Sequence, residues 1–366
     1  MTNRNWFFLL VLCLEVILVS WASQSPQWVE LNYSTGAYPV ISRSLRAITG
    51  PIPIGVGQWL VVILFTYMVY AFVRKTRKLG KDFSLTSWFK WLGFQVLRIF
   101  TIGYGIFLLS WGFNYHRTPL QETLNLEVGE PDTTQLKQVN ELLIANCNTL
   151  RMDIHLQGEE LPMSVAEMIE VAPRGYGELS DYPYFSYVTP SIKGVAFPKT
   201  FSWLGVAGIY SMFTGEAYVN LDPPNFSIPF TICHEMAHQV GFAPESEANF
   251  IAFLACNAHP DLNFRYSGNL RAMQYSMSAL YRADSLTYKE MVKEISPEVL
   301  KDIEISRNYY RRYQGPLDDL SDWIYDYYLK ANAQTEGIKS YGLMTELLLA
   351  AHNEGLIIKA VTSGPG

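Results

Sequence analysis

Apolar residues gather into three long runs in the first third of the chain, roughly Trp6–Ala22, Ile54–Val73 and Trp91–Gly112. Each approaches the ~20 residues a helix needs to cross a bilayer, and buried helices of soluble domains rarely run so far without charge. The first run contains Glu15 and ends in Ser20-Trp21-Ala22-Ser23, so it reads as a first span or, alternatively, as a signal peptide with a small-residue cleavage site. Between the second and third runs lies the densest basic stretch of the chain, Arg74-Lys75-Thr76-Arg77-Lys78-Leu79-Gly80-Lys81. A short basic loop between two spans stays in the cytoplasm. This predicts an amino terminus inside, a loop from Ser23 to Pro53 outside, and everything after Gly112 outside, with Arg98 snorkelling to the inner interface.

Beyond Gly112 the pattern changes to helical periodicity. Asp132 and Thr133 can cap a helix whose apolar positions Leu136, Val139, Leu143, Cys147 and Leu150 fall on one face, and Ser164-Val165-Ala166-Glu167 has the form of a capping box opening another. From Gly175 to Asp222 the chain is rich in Tyr, Phe, Val, Gly and Pro, which suits strands and irregular connections, with Gly215–Leu221 the best strand. From Asn263 onward helical patterning returns, punctuated by Ser296-Pro297 and Gly315-Pro316. There is no internal repeat and no low-complexity tract.

With 366 residues, including 23 Tyr, 20 Phe and 9 Trp, the chain can fill a sizeable core. Charge divides unevenly: up to Gly112 there are 10 Lys/Arg against 3 Asp/Glu, and beyond it 18 against 31. An acidic second part argues against a nucleic-acid partner, because binding phosphates requires a basic surface. The four cysteines, Cys13, Cys147, Cys233 and Cys256, have no metal-knuckle spacing and are too few for a disulfide framework.

The segment Ser227-Ile228-Pro229-Phe230-Thr231-Ile232-Cys233-His234-Glu235-Met236-Ala237-His238-Gln239-Val240-Gly241 reads as a helix with Pro in its first turn and Gly past its end. His234 and His238 then lie one turn apart on one face, where both imidazoles reach a single metal ion, and Glu235 sits beside them as a base. Such a set leaves an open position on zinc for a water of lowered pKa. The third ligand is expected from the helix that Pro244 begins. Glu245 is the first candidate, with Asn249 one turn on to hold a ligating side chain, and Glu247 is the alternative. A metzincin would need a third His where this chain has Pro244. The apolar run around His234 is short and flanked by Asn220, Asp222, Asn225 and Gln239, which disfavours an intramembrane protease.

These residues resemble the gluzincin group of zinc peptidases, in which a histidine pair and a Glu from a following helix hold the ion. Taken with Trp111-Gly112-Phe113-Asn114-Tyr115, Phe213-Thr214-Gly215-Glu216-Ala217, His234 to Ala255 and Ser340-Tyr341-Gly342, the chain most resembles a family of bacterial membrane proteins, domain of unknown function 3810. The Glu-x-x-Ala-Asn segment from Glu245 to Asn249 is also similar to one in membrane zinc proteases that process prenylated proteins, where the first Glu is a ligand. The spacing departs from gluzincins, because only six residues separate His238 from Glu245.

Among other candidates, Tyr341 is a possible stabiliser of a tetrahedral oxyanion. His352, His259, His116 and His155 read as surface or structural histidines. Glu216 is either a group on a substrate-pairing edge strand or a solvent-facing strand charge, and Tyr309-Tyr310-Arg311-Arg312-Tyr313 reads as an amphipathic helix with a basic edge. The expectation is an α+β, mainly helical, zincin-like metallopeptidase domain (residues 113–366) on a membrane anchor of three helices (residues 1–112). It would bind Zn2+, act on a peptide or protein substrate outside the bacterial plasma membrane, and contact the lipid bilayer. A membrane sensor or scaffold with a structural or inactive zinc site is the rival from another class.

Overall fold

A computed structural model describes residues 3–78, 85–156, 163–332, 334 and 341–356. Helix α1 (Asn3–Ser23) leads through a π-helical turn (Val29–Ala37) into α2 (Tyr38–Thr49), followed by the long helices α3 (Val56–Lys78) and α4 (Leu85–Ser110). Within α1, α3 and α4 the windows Trp6–Ser23, Val56–Arg77 and Trp88–Ser110 are long and apolar enough to cross a membrane. Large apolar side chains along them, such as Leu10, Ile63, Phe65 and Ile102, are exposed, as lipid-facing residues would be. The end of the basic stretch, Leu79–Lys81, lies outside the described residues.

The remainder is mainly helical with few strands. Helix α5 (Thr133–Leu156) is followed by a three-stranded sheet of β1 (Ile192–Gly194), β2 (Gly208–Ser211) and β3 (Glu216–Val219), then by α6 (Ile228–Gln239), α7 (Glu245–Ala258), α8 (Leu262–Ala283), α9 (Pro297–Tyr313), α10 (Pro316–Ala331) and α11 (Tyr341–Asn353). The sheet order is β1-β3-β2, with β1 parallel and β2 antiparallel to the central β3, which puts β2 on an edge.

Local sequence explains most of these boundaries. The apolar stripe Leu136, Val139, Leu143, Cys147 and Leu150 is buried on α5 against α8, and Ser164 with Glu167 forms the reciprocal capping box. Pro229 occupies the first turn of α6, and Gly241 follows its end at φ +99°, a backbone conformation that favours glycine. Helix α7 is buried along nearly its whole length, including Phe250 and Phe253, and packs against α6, α8 and α11. Each such fully buried aromatic contributes about 1.5–3 kcal/mol relative to exposure. All four cysteines are free thiols.

The segment between the first two apolar helices joins the larger domain. Ala22, Val29, Tyr33, Tyr38, Phe107, Leu108 and Trp111 make one apolar cluster with Tyr210 and Ala243. The Tyr38 hydroxyl donates to the backbone oxygens of His238 (3.2 Å) and Gln239 (3.1 Å), and Ser42 donates to Gln239 (2.8 Å). A second tie starts from Glu216 on the central strand. Its carboxylate accepts from the backbone N–H of Val56 (3.0 Å) and Gly57 (2.7 Å), capping the start of α3, and pairs with Lys193 at 2.5 Å. Lys193 also donates to the oxygens of Thr49 and Ile54. Glu216 is completely buried, so it is neither on an edge strand nor facing solvent, and both sequence readings of it are corrected: it anchors an apolar helix to the sheet.

Removing one member of a buried, hydrogen-bonded ion pair strands the other, at a cost of about 3–5 kcal/mol. Glu216→Ala is therefore expected to lower the thermal unfolding midpoint of the detergent-solubilised chain by on the order of 10 °C, read by intrinsic fluorescence. An unchanged midpoint would contradict the anchoring role.

Candidate metal centre

Helix α6 presents His234 and His238 on one face, their ring centroids 4.7 Å apart and the rings nearly perpendicular at 87°. The chain turns at Gly241, and α7 begins at once with Glu245, which faces both imidazoles. Glu245 Oε2 lies 3.2 Å from His234 Nε2, and Oε1 lies 3.5 Å from His238 Nε2. Donors sharing one tetrahedral zinc with bonds of about 2.0–2.1 Å stand roughly 3.3–3.4 Å apart. One ligand atom from each of the three residues lies within 4.8 Å of the others. The geometry and the nitrogen–oxygen donor set therefore fit a zinc ion.

The groups behind these side chains fix their orientation. His238 Nδ1 is 2.7 Å from the backbone oxygen of Phe242, the contact expected behind a histidine that offers Nε2 to a metal. Arg117 holds the same turn: it donates to the Gly241 oxygen at 2.9 Å, stacks 3.9 Å over the Phe242 ring, and makes a bidentate pair with Glu30 from the segment after α1. The Trp111 ring, just past the end of α4, meets the His238 ring edge-on at 5.9 Å.

Electrostatics follow from burial and proximity. Burial alone would lower the His238 pKa, but the adjoining Glu245 carboxylate, aided by Glu235 and the Phe242 oxygen, raises it to about 9. Burial would raise Glu245, yet the two imidazoles hold it well below the usual carboxylate range. Glu235 is also buried; desolvation pushes it up to about 7, with His234 and His238 opposing and Glu245 adding to the rise. Its Oε2 is buried without a hydrogen-bond partner, as is Nδ1 of His234. A buried carboxyl poised near neutrality, with one oxygen uncommitted, suits proton transfer.

Strand β2 closes the site on the side of Glu235. A Cβ added at Gly208 would run into the Glu235 side chain, so any other residue there would push the carboxylate from its place against this edge strand. The cleft in front of the three residues has a volume of about 1260 Å³.

The other sequence candidates separate clearly. Glu247 points the opposite way, accepting from the Leu120 N–H at 2.8 Å; burial pushes it up to about 7 against the pull of that bond and Arg117. Asn249 is buried and lines the cleft beside the histidines. Tyr341 opens α11, but its side chain lies outside the described residues. His259 is buried against the Val171 oxygen and the Asp261 N–H, away from the cluster. In the aromatic run of α9, Tyr309 and Tyr313 bind Asp222 while Tyr310 reaches the cleft.

Sequence reasoning did not find Tyr325. From α10 its hydroxyl donates to Glu245 Oε1 at 2.5 Å, and Tyr328, bonded to Tyr115 at 3.0 Å, lines the same cleft. Its only signal is a polar-tipped aromatic at helical spacing in the otherwise amphipathic stretch from Pro316 to Ala331.

Comparing Glu245→Ala with Glu247→Ala tests which carboxylate would serve a metal ion bound at His234 and His238. The first is expected to lower zinc content of the purified chain from about one per molecule to a small fraction, and the second to leave it near one. Loss confined to Glu247→Ala would contradict the assignment.

No curated protein and no solved structure matches the chain. A family model described as "protein of unknown function (DUF3810)" matches residues 33–349, which include α3, α4, the sheet and every residue of the metal cluster. The chain belongs to that family.

Proposed function

We propose that this chain is a membrane-anchored, zinc-dependent peptidase of gluzincin type, with a zincin-like domain outside the bacterial plasma membrane. The observation that carries the reading is the joint placement of His234, His238 and Glu245 around one point, with the buried, half-unpartnered carboxyl of Glu235 next to them in an open cleft. A purely structural site would close its coordination with a fourth side chain and would need no base.

In this reading His234 Nε2, His238 Nε2 and Glu245 hold the ion. Zinc, when bound, lowers the pKa of a water and polarises a peptide carbonyl. Glu235 takes the proton from the attacking water and returns it to the leaving amine, a task for which its elevated pKa is suited. The edge of β2, lying against Glu235 through Gly208, offers backbone groups to an extended peptide and so aligns the scissile bond with the base. Tyr325, within hydrogen-bond reach of the Glu245 carboxylate, takes the oxyanion-stabilising role that the sequence suggested for Tyr341. The basic stretch of α3 between the second and third apolar helices supports a cytoplasmic loop and thus an external catalytic face.

The experiment is hydrolysis of a peptide library by the zinc-loaded full chain. Glu235→Gln is expected to keep its zinc and to lose about 10²–10⁴-fold in rate. Tyr325→Phe should also keep zinc and lose about 10²-fold in kcat with little change in KM. Undiminished cleavage by Glu235→Gln would remove the mechanism.

A further inference from the structure

The cleft is not lined by the larger domain alone. Along one side it is bounded by Trp59, Val61 and Val62, from the first two turns of α3. All three are exposed, and they stand in the same cleft as His234, Glu235 and Glu245. The same cleft is lined by Phe197, Ile209 and Phe213, also exposed and also apolar. Ile209 belongs to β2, the strand that abuts Glu235, so apolar side chains of α3 and of that strand wall the same cleft as His234, Glu235 and Glu245.

The depth of this wall follows from helix geometry. The apolar part of α3 runs from Val56 to Val73, ahead of the basic Arg74-Lys75-Thr76-Arg77-Lys78. At ~1.5 Å per residue it is about 27 Å long, close to the ~30 Å of a bilayer's hydrocarbon layer. The outer hydrocarbon boundary therefore falls within about one turn of Val56, and Val62, ~9 Å farther along the helix, lies inside it. Helix α4 ends at Ser110, and Trp111 after it lines the cleft and meets the His238 ring edge-on, so a second membrane-length helix also terminates at the site. With α3 and α4 spanning a bilayer, His234, His238 and Glu245 would lie near its surface, and Trp59, Val61 and Val62 would line the cleft at the level of the lipid chains.

Resting on the peptidase reading, we infer that the substrate is itself a membrane polypeptide. Its apolar inserted segment lies along Trp59, Val61 and Val62, and its extended juxtamembrane residues pair with the edge of β2, where they are cut. A water-soluble peptide would gain nothing from an apolar wall at this depth. A free lipid would have no use for a strand edge aimed at a general base. An inserted polypeptide uses both features, and confinement to the same bilayer raises its effective concentration at the cleft.

The test uses the full chain, zinc-loaded and reconstituted in vesicles of phosphatidylethanolamine and phosphatidylglycerol. Three probe sets share one randomised segment of roughly eight residues: free in water, fused to an apolar helix of about 20 residues, or attached to a diacylated cysteine. The helix-fused probes are expected to show kcat/KM about tenfold or more above both other sets. Val62→Trp, which adds bulk to the α3 lining of the cleft, and Phe213→Ser, which removes an apolar lining side chain, should each lower helix-fused cleavage severalfold. Independently of turnover, a benzophenone at the outer end of the probe helix should crosslink to Trp59–Val62 in the Glu235→Gln chain.

Equal rates on free and helix-fused probes, or crosslinks away from α3, overturn the inference and leave the peptidase reading standing. Diacylated probes cut as fast as helix-fused ones overturn the polypeptide anchor. Crosslinking to Trp59–Val62 without hydrolysis of any probe removes the peptidase reading and upholds the cleft as a binding site for an inserted polypeptide.

Discussion

Six residues join His238 to Glu245, and in that span the chain must reverse so that a carboxylate on the next helix faces two imidazoles on the previous one. The turn at Gly241 is the constraint on which the site depends. Its left-handed backbone suits glycine, and a Cβ there would also meet the Tyr38 ring at 2.9 Å. Arg117 holds the Gly241 oxygen and covers Phe242, Phe242 orients His238, and Tyr38 binds the oxygens of His238 and Gln239. A shift of this turn would move the second histidine and the carboxylate together, and with them the geometry that a tetrahedral ion requires.

Much of what secures the turn comes from the membrane-proximal segments. Glu30 and Tyr38 lie between α1 and α3, and Arg117 follows the end of α4. Glu216 caps α3 from the central strand while Lys193 holds the oxygens of Thr49 and Ile54. The apolar helices are therefore more than a tether. Their outer ends and connecting segment form part of the scaffold that shapes the cleft around His234, His238 and Glu245.

What could be read in the sequence was local. The three apolar helices, the stripe on α5, the capping box at Ser164 and the limits of α6 at Pro229 and Gly241 follow from periodicity and caps, which need only neighbours in sequence. That His234 and His238 share a face was legible for the same reason, since helical spacing decides it; that Glu245 faces them while Glu247 accepts from the Leu120 N–H depends on the turn between two helices, which spacing does not give. The pairs Glu30–Arg117, Lys193–Glu216 and Tyr325–Glu245 were not, because they join residues 87, 23 and 80 apart and leave no periodic trace. Glu216 in particular read as either an edge-strand group or a solvent-facing strand charge; it is buried because the start of α3 and Lys193 pack onto it, on a strand that lies in the centre of the sheet.

The proposed peptidase requires one divalent ion between His234, His238 and Glu245, whose ligand atoms are grouped closely enough to hold it. The most direct measurement is the zinc K-edge X-ray absorption fine structure of the purified full chain. We expect two imidazole nitrogens and carboxylate or water oxygen at about 2.0–2.1 Å, with no sulfur. Sulfur scattering at about 2.3 Å, as from Cys233 or Cys256, or a shell without histidine, would contradict the account.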